Sequence, residues 1–144
     1  MSESKAKTAI TDTDALVARG LVPAEAAGDI ARVAEDFRIR IPAHILSAID
    51  TVAADDPLAR QFVPDARELQ AYDGEMDDPI GDGAFERAKG ITHRYPDRVL
   101  LKPTHACQVY CRFCFRRETV GEPEAALDRE ELAAALDYIR VHSE

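Results

Sequence analysis

The sequence lacks tryptophan and any long apolar run, and it has only three cysteines among 144 residues. Nothing approaches the roughly 20 consecutive apolar residues of a membrane-spanning helix, so we predict no membrane association. Residues 1–9 are polar with two lysines and lack the apolar core of a secretory signal. We therefore predict a cytoplasmic protein with a disordered tail over residues 1–10.

Positive charge is also scarce, since the formal net charge is −9. This balance argues against a protein that binds nucleic acid by neutralising phosphates. The basic residues nevertheless concentrate between Arg94 and Arg117, where six of them accompany one acid. Such a local excess favours a small anionic ligand, such as a phosphate or a carboxylate; arginines that simply face solvent are the alternative.

Residues 11–90 have the pattern of a helical region followed by a connector. The first helix is predicted from Asp12 or Thr13 to Ala18, and Gly20 ends it. Two more helices are predicted to open at prolines, Pro23 and Pro42. Their apolar positions recur at helical spacing and predict a packed core: Ile30, Val33, Ala34 and Phe37, then Ile45, Leu46, Ile49 and Val52.

From Asp55 to Gly90 the sequence is rich in turn-forming residues, which predicts a long connector. Short helices are expected in it near Leu58–Phe62 and Ala66–Ala71. Connectors of this length within compact domains usually carry function or are disordered.

Residues 91–144 predict a strand, a cysteine-bearing loop and a helix. Arg98–Lys102 is a short apolar run between prolines and predicts a buried strand. Asp128 and Glu131 form a capping box that opens the helix. This order predicts an α/β fold, with the first βα unit of a larger sheet or barrel. One strand and one helix cannot form a sheet alone, so we expect a truncated piece whose free strand edge favours self-association.

The three cysteines occur as Cys107-x3-Cys111-x2-Cys114. An odd, tightly clustered set does not suit a disulfide framework. Three thiolates on one loop suit a [4Fe–4S] cluster with one iron left open, which the amino and carboxylate groups of S-adenosylmethionine (SAM) can chelate. A zinc site completed by His105 or His93 is the main alternative, and thiols that are merely buried are a third.

Segments on both sides of the cysteines resemble the lysine 2,3-aminomutase family of radical SAM enzymes. The resemblance rests on three segments: Thr92–Leu100 (which contains His-Arg-Tyr-Pro-Asp-Arg), the cysteine triplet and Phe115–Arg117. A weaker resemblance upstream extends it over about residues 35–121. It implies an isomerase that also binds pyridoxal 5′-phosphate (PLP) and moves an amino group between the α and β carbons of an amino acid. It also implies that the strand, loop and helix open a radical SAM partial barrel.

The resemblance further implies roles for individual residues. Cys107, Cys111 and Cys114 match the cluster ligands, and Phe113 matches an aromatic position beside the adenine of SAM. The remaining matches concern anions: Arg94, Tyr95 and Arg98 correspond to contacts of the PLP phosphate, and Arg116 to the arginine that holds the substrate carboxylate. Guanidinium groups suit both anions because they bind them bidentately. Salt bridges to the acidic N-terminal helices are the alternative for Arg94 and Arg98.

Two positions depart from the pattern of the lysine enzymes, because Phe113 stands where histidine is frequent and Phe115 where threonine is frequent. The same form occurs in relatives that supply β-lysine to elongation factor P, so the substrate is an amino acid with lysine favoured. The family's PLP lysine and acidic substrate residues correspond to positions after Glu144. We therefore assign no catalytic residue here and expect this chain alone to be inactive as an aminomutase. The complete enzyme is expected to be a homo-oligomer reduced by a flavodoxin or ferredoxin.

Overall fold

The computed structural model describes residues 9–51, 55–117, 119–121 and 126–142. They form two compact units. The first contains the residues up to Glu75 together with the cysteine loop, residues 107–117. The second contains residues 76–106 and the described residues from Thr119 onward.

The first unit is helical, and local capping explains where its first helix lies. Helix α1 spans Thr13–Ala18, and the Asp12 side chain accepts a hydrogen bond from the Ala15 amide at 2.8 Å. Gly20 follows with φ of +68°, a left-handed conformation that glycine adopts without steric cost. Both boundaries are those that the sequence predicts.

Helix α2 spans Ala27–Asp36, after a 3₁₀ turn at Ala24–Ala26 that Pro23 precedes. The predicted stripe is confirmed, because Ile30, Val33 and Phe37 are all buried. The core of this unit also includes apolar side chains from α1 and from the segments around α2: Ile10, Leu16, Val22, Ile39, Ile41, Ile49 and Phe62. Each such side chain contributes about 1.5–3 kcal/mol through its burial.

The prediction of a tail over residues 1–10 falls mainly on positions outside the described residues. Ile10, at its end, is 4% exposed and forms a two-way backbone bridge with Ile41. The last residue of the predicted tail is therefore part of the core.

Helix α3 is shorter than predicted, since it spans only Ala43–Leu46. After it the Ala48 amide donates to the Ile45 carbonyl, only three residues back, and the Asp50 amide donates to the Asp56 carboxylate at 3.2 Å instead of continuing the helix. Asp56 also caps helix α4, Pro57–Phe62. Ile49 is still buried, whereas Val52 lies outside the described residues.

The connector contains both predicted short helices. Helix α4 matches the first of them, and a 3₁₀ turn at Ala66–Leu69 matches the second. This turn has a complete capping box formed by Asp65 and Glu68. A further 3₁₀ turn spans Gly83–Phe85.

Over its described residues, the second unit contains a three-stranded antiparallel sheet and one α-helix. Strands β1 (Glu86–Ala88), β2 (Ile91–Tyr95) and β3 (Arg98–Leu101) lie in the order β1-β2-β3. Helix α5, Arg129–Val141, begins with the predicted capping box of Asp128. The structure is thus a mixed helix and sheet fold.

The prediction of a buried strand at Arg98–Lys102 is wrong in its packing, although β3 lies there. Its residues alternate between exposed and half-buried, and Leu100 is 45% exposed. The Pro96–Asp97 turn is so short that it can join only antiparallel strands, and an antiparallel sheet can leave one face exposed to solvent. The expected lone strand is therefore the third strand of a meander.

Gly90, in the turn between β1 and β2, has φ of +77° and no room for a side chain. A Cβ there would approach Leu127 Cδ1 to 2.8 Å and the Lys102 carbonyl oxygen to 2.9 Å. Glycine is thus required where the sheet meets the segment that leads into α5.

Every helix among the described residues is too short or too polar to span a lipid bilayer.

Candidate cluster loop and anion-binding segment

The three cysteines lie on one loop of the helical unit, and all three are free thiols. Cys107 is exposed, whereas Cys111 and Cys114 are half-buried. Consecutive turns link the second part of the loop, since the Cys114 amide donates to the Cys111 carbonyl at 3.1 Å and the Arg117 amide to the Cys114 carbonyl at 3.2 Å. The Cys111-x2-Cys114 part of the motif therefore forms a compact turn.

Backbone hydrogen bonds anchor this loop to distant parts of the helical unit. The Tyr110 amide donates to the Arg40 carbonyl at 2.9 Å, and the Arg112 amide donates to the Gln61 carbonyl at 2.8 Å. The Tyr110 side chain is buried, and its hydroxyl donates to the Arg117 carbonyl at 2.9 Å. These contacts thus hold the loop on both sides of Cys111.

A buried ion pair strengthens the same anchor. Arg112 Nη2 lies 2.5 Å from a Glu68 carboxylate oxygen, and the two side chains are only 5% and 16% exposed. Its Nη1 donates to the Arg38 carbonyl at 2.7 Å, and its guanidinium lies 5.0 Å from the centre of the Tyr110 ring. A buried guanidinium is costly unless paired, and here each of its three nitrogens has an acceptor.

The loop's donor set fits an iron–sulfur cluster, because three free thiols on one segment are the soft ligands that such clusters take. The thiols are not already gathered: within the described part of the chain, no three histidine, cysteine or acidic side chains are close enough to hold a metal ion. His93, a candidate zinc ligand, instead shares a hydrogen bond with the Tyr138 hydroxyl at 2.8 Å. A metal held by all three cysteines therefore requires their thiols to move closer together.

Phe113 and Arg116 project from the same loop. Phe113 is 74% exposed, although it stands between two positions that pack inward. Arg116 is half-buried, and its guanidinium lies 4.5 Å from the centre of the Phe115 ring. Exposed aromatic area beside the cysteines is available to a flat ligand such as a nucleobase.

Arg94 lies on β2 in the sheet unit, and Asp82 of the preceding loop neutralises it. Its Nη2 contacts the Ile80 carbonyl and lies 3.4 Å from Asp82 Oδ1, and its guanidinium lies 4.7 Å from the Phe85 ring centre. Lys102 Nζ lies 3.9 Å from the second oxygen of Asp82. One carboxylate therefore occupies the space between two cations.

Two polar atoms on β2 are buried without a hydrogen-bond partner among the residues that the structure describes, Thr92 Oγ1 and Arg94 Nε. Unsatisfied buried donors are rare in proteins, and ligands or water often complete them. A phosphate group fits this segment because its oxygens accept from hydroxyl and guanidinium donors alike.

Asp78 holds the loop that carries Asp82. Its carboxylate accepts from the Gly83 amide at 2.7 Å and from the Asp82 amide at 2.9 Å. These hydrogen bonds, that of Gly83 above all, lower the pKa of the Asp78 carboxyl below its ordinary value. The carboxylate is thus ionised and keeps the loop closed over Arg94 at neutral pH.

Tyr95 and Arg98 flank the turn between β2 and β3. Arg98 binds its neighbour Asp97 bidentately, at 3.0 and 2.7 Å, and this hydrogen-bonded pair lowers the pKa of the Asp97 carboxyl. Tyr95 is 56% exposed, with the Arg98 guanidinium 5.6 Å from its ring centre. Within the sheet unit, Arg94 thus pairs with Asp82 and Arg98 with Asp97.

The residues that sequence reasoning missed are those that support the cysteine loop. Gln61 and Glu68 both contact it from more than 40 positions away. The capping-box spacing of Asp65 and Glu68 is visible in the sequence, but the second role of Glu68 as partner of Arg112 has no local signal.

Comparison with known proteins gives a consistent result, although no protein-family model matches the chain. L-lysine 2,3-aminomutase of Acetoanaerobium sticklandii is 38% identical over 120 residues, which cover 83% of this chain and 29% of that enzyme. The L-lysine 2,3-aminomutase of Clostridium subterminale is 38% identical over 111 residues, 77% of this chain and 27% of the enzyme.

A third relative is glutamate 2,3-aminomutase of Clostridioides difficile, 33% identical over 135 residues, which cover 94% of this chain and 32% of that enzyme. The chain thus spans under a third of the length of these curated relatives. Similarity at this level over most of the chain, together with the cysteine loop and the arginine-bearing hairpin, supports the resemblance seen in the sequence. The chain belongs to the lysine 2,3-aminomutase family.

Proposed function

We propose that the complete protein is a radical SAM amino-acid 2,3-aminomutase, and that this chain supplies its cluster loop and a phosphate-binding segment. The observation that carries the proposal is the cysteine loop, whose three free thiols lie on a backbone that Arg112 and Tyr110 hold in place. The names of the relatives supply the reaction class.

In this proposal Cys107, Cys111 and Cys114 hold a [4Fe–4S] cluster. When bound, the cluster supplies the electron that cleaves SAM, and PLP carries the migrating amino group. Phe113 offers its exposed ring to the adenine, and Arg116 binds the substrate carboxylate through its guanidinium. Such enzymes must exclude water from the site, so the chain's own task is to fix these groups in position.

Arg94 and Arg98 are proposed to bind the PLP phosphate, with Tyr95 beside them. Asp82 and Asp97 pair with these guanidinium groups. The phosphate must therefore compete with two carboxylates. The buried Nε of Arg94 is a donor that it can satisfy without competition.

Lysine is the first substrate to test, and β-lysine supply to elongation factor P is the alternative within the same reaction class. The proposal also includes a soluble cytoplasmic enzyme, a flavodoxin or ferredoxin as electron donor, a homo-oligomeric assembly and the opening βα unit of a radical SAM partial barrel.

The test is cleavage of SAM by the chain after anaerobic reconstitution with iron and sulfide. Under reduction with dithionite, we expect methionine and 5′-deoxyadenosine in equal amounts by liquid chromatography. Unreconstituted chain is the control. A colourless protein that retains stoichiometric zinc and leaves SAM intact would favour a non-catalytic zinc module instead.

Replacing Asp82 by asparagine is expected to tighten phosphate binding about threefold to fivefold. The reason is that the change removes a competing carboxylate from between Arg94 and Lys102, and partly exposed ion pairs are worth about 1 kcal/mol or less. The probe is pyridoxine 5′-phosphate, which carries the phosphate but has no aldehyde to react with surface lysines, and the measurement is isothermal titration calorimetry.

The matched control is Asp137→Asn, which breaks an exposed ion pair with Arg140 on α5. We expect its affinity for the probe to be unchanged. Equal or weaker binding by the Asp82→Asn chain would show that Asp82 does not compete with a phosphate for Arg94.

A further inference from the structure

Gln61, the penultimate residue of α4, contacts the cysteine loop through both its backbone and its side chain. Its carbonyl accepts from the Arg112 amide at 2.8 Å. Its side-chain Nε2 lies 3.5 Å from Cys111 Sγ, within hydrogen-bonding range for sulfur. The backbone hydrogen bond holds the main chain of Gln61 against the loop. The side chain is half-buried, and its amide group points at the sulfur.

The chemistry of the two groups indicates which form of the sulfur this contact suits. A neutral thiol is a weak hydrogen-bond acceptor, whereas a thiolate bound to a metal carries negative charge and accepts more strongly. The hydrogen bond from an amide N–H to Cys111 is therefore strongest when that sulfur is a thiolate ligand.

The three cysteines differ in this respect. Over the described ranges, no side-chain donor contacts the Sγ atoms of Cys107 or Cys114, while Cys111 has Gln61. A side-chain donor thus contacts one of the three cysteine sulfurs, that of Cys111.

We propose that Gln61 is a positioning residue for Cys111 that also raises the reduction potential of the bound cluster. This inference rests on the proposed function. Hydrogen bonds to the sulfurs are among the factors that set cluster potentials. Reduction adds an electron to the cluster and its thiolates, so an N–H donor stabilises the reduced form more than the oxidised form. Removal of the donor should therefore lower the potential.

The test compares reconstituted full-length chains that carry Gln61→Leu or Gln61→Glu. The first removes the amide, and the second keeps its shape but replaces the donor by a carboxylate oxygen. Both retain the Gln61 carbonyl that accepts from Arg112. The control is Gln70→Leu, which makes the same change at an exposed position of the same unit.

The readout is an EPR-monitored redox titration without substrate. At a fixed solution potential, we expect the ratio of reduced to oxidised cluster to fall about threefold to tenfold in Gln61→Leu and further in Gln61→Glu, with Gln70→Leu unchanged. Iron content and the thermal melting curve are recorded for each chain to establish that all are folded and loaded.

Two kinds of result distinguish a failure of this inference from a failure of the proposed function. If the Gln61 variants have the potential of the unchanged chain, or take up less iron without a shift in potential, the assignment of Gln61 is overturned and the proposed function stays intact. Absence of any cluster in the unchanged chain would overturn the proposed function and this inference with it.

Discussion

Changing Cys107, Cys111 and Cys114 together to serine is expected to abolish uptake of iron and sulfide, to below about a tenth of that of the unchanged chain. Thiolates bind iron in such clusters, and a serine hydroxyl is neither soft nor ionised at neutral pH. The fold should survive, because Arg112, Tyr110 and backbone hydrogen bonds anchor the loop. Iron and sulfide analysis after anaerobic reconstitution measures the loss, and circular dichroism measures the fold.

The matched control for this experiment is Ala106→Ser, which introduces the same hydroxyl at an exposed position just before the loop. It should take up as much iron as the unchanged chain. If the triple-serine chain still turned brown and retained sulfide, then the cluster would not be held by the cysteines.

The second large effect concerns stability. Changing Glu68 to alanine is expected to lower the free energy of unfolding by about 3–5 kcal/mol, because it leaves the Arg112 guanidinium buried without its countercharge. The substitution also removes the capping bond from the Asp65 amide to Glu68, at 2.9 Å, which adds to the loss. Urea unfolding followed by circular dichroism gives the value.

A matched comparison separates the buried pair from acidic residues in general. Glu75→Ala removes a carboxylate that lies 4.0 Å from Arg117 and is half exposed, so we expect a change of about 1 kcal/mol or less. Pairing Glu68→Leu with Arg112→Met should recover most of the lost stability, since replacing both partners leaves no unpaired charge. A Glu68→Ala chain within 1 kcal/mol of the unchanged one would mean that the pair does not anchor the loop.

The elements that could be predicted from sequence are those with local signals. Asp12 and Gly20 bound α1, and Asp128 with Glu131 opens α5, because capping acts within one turn of the chain. Helix α3 is shorter than its apolar spacing predicts, and beyond it the Asp50 amide donates to the Asp56 carboxylate. That hydrogen bond depends on how the chain folds back, for which the apolar periodicity of the sequence gives no signal.

The sheet was predicted less well for a similar reason. Arg98–Leu101 was recognised as a strand, but its partner Ile91–Tyr95 was not, and an apolar run does not state which strand it will pair with. The turn between them decides the pairing. Once the hairpin is known, the alternating exposure of β3 follows.

For the candidate site, the spacing of the cysteines is sufficient to propose a cluster, because all three lie within eight residues. The supports of the loop could not be predicted, since Gln61, Glu68 and the Arg38 carbonyl reach it from 44 to 74 positions away. Likewise, the arginine segment was visible as a cluster of charge, but its neutralisation by Asp82 was not. Contacts at such separations depend on tertiary structure rather than on local pattern.

The most direct measurement is the EPR spectrum of the anaerobically reconstituted chain after reduction, recorded with and without SAM. Three thiolates leave one iron free for the amino and carboxylate groups of SAM, so we expect a cubane signal whose shape changes when SAM is added. A spectrum with no such cluster, or a cluster signal that SAM leaves unaltered, would contradict the assignment of this loop.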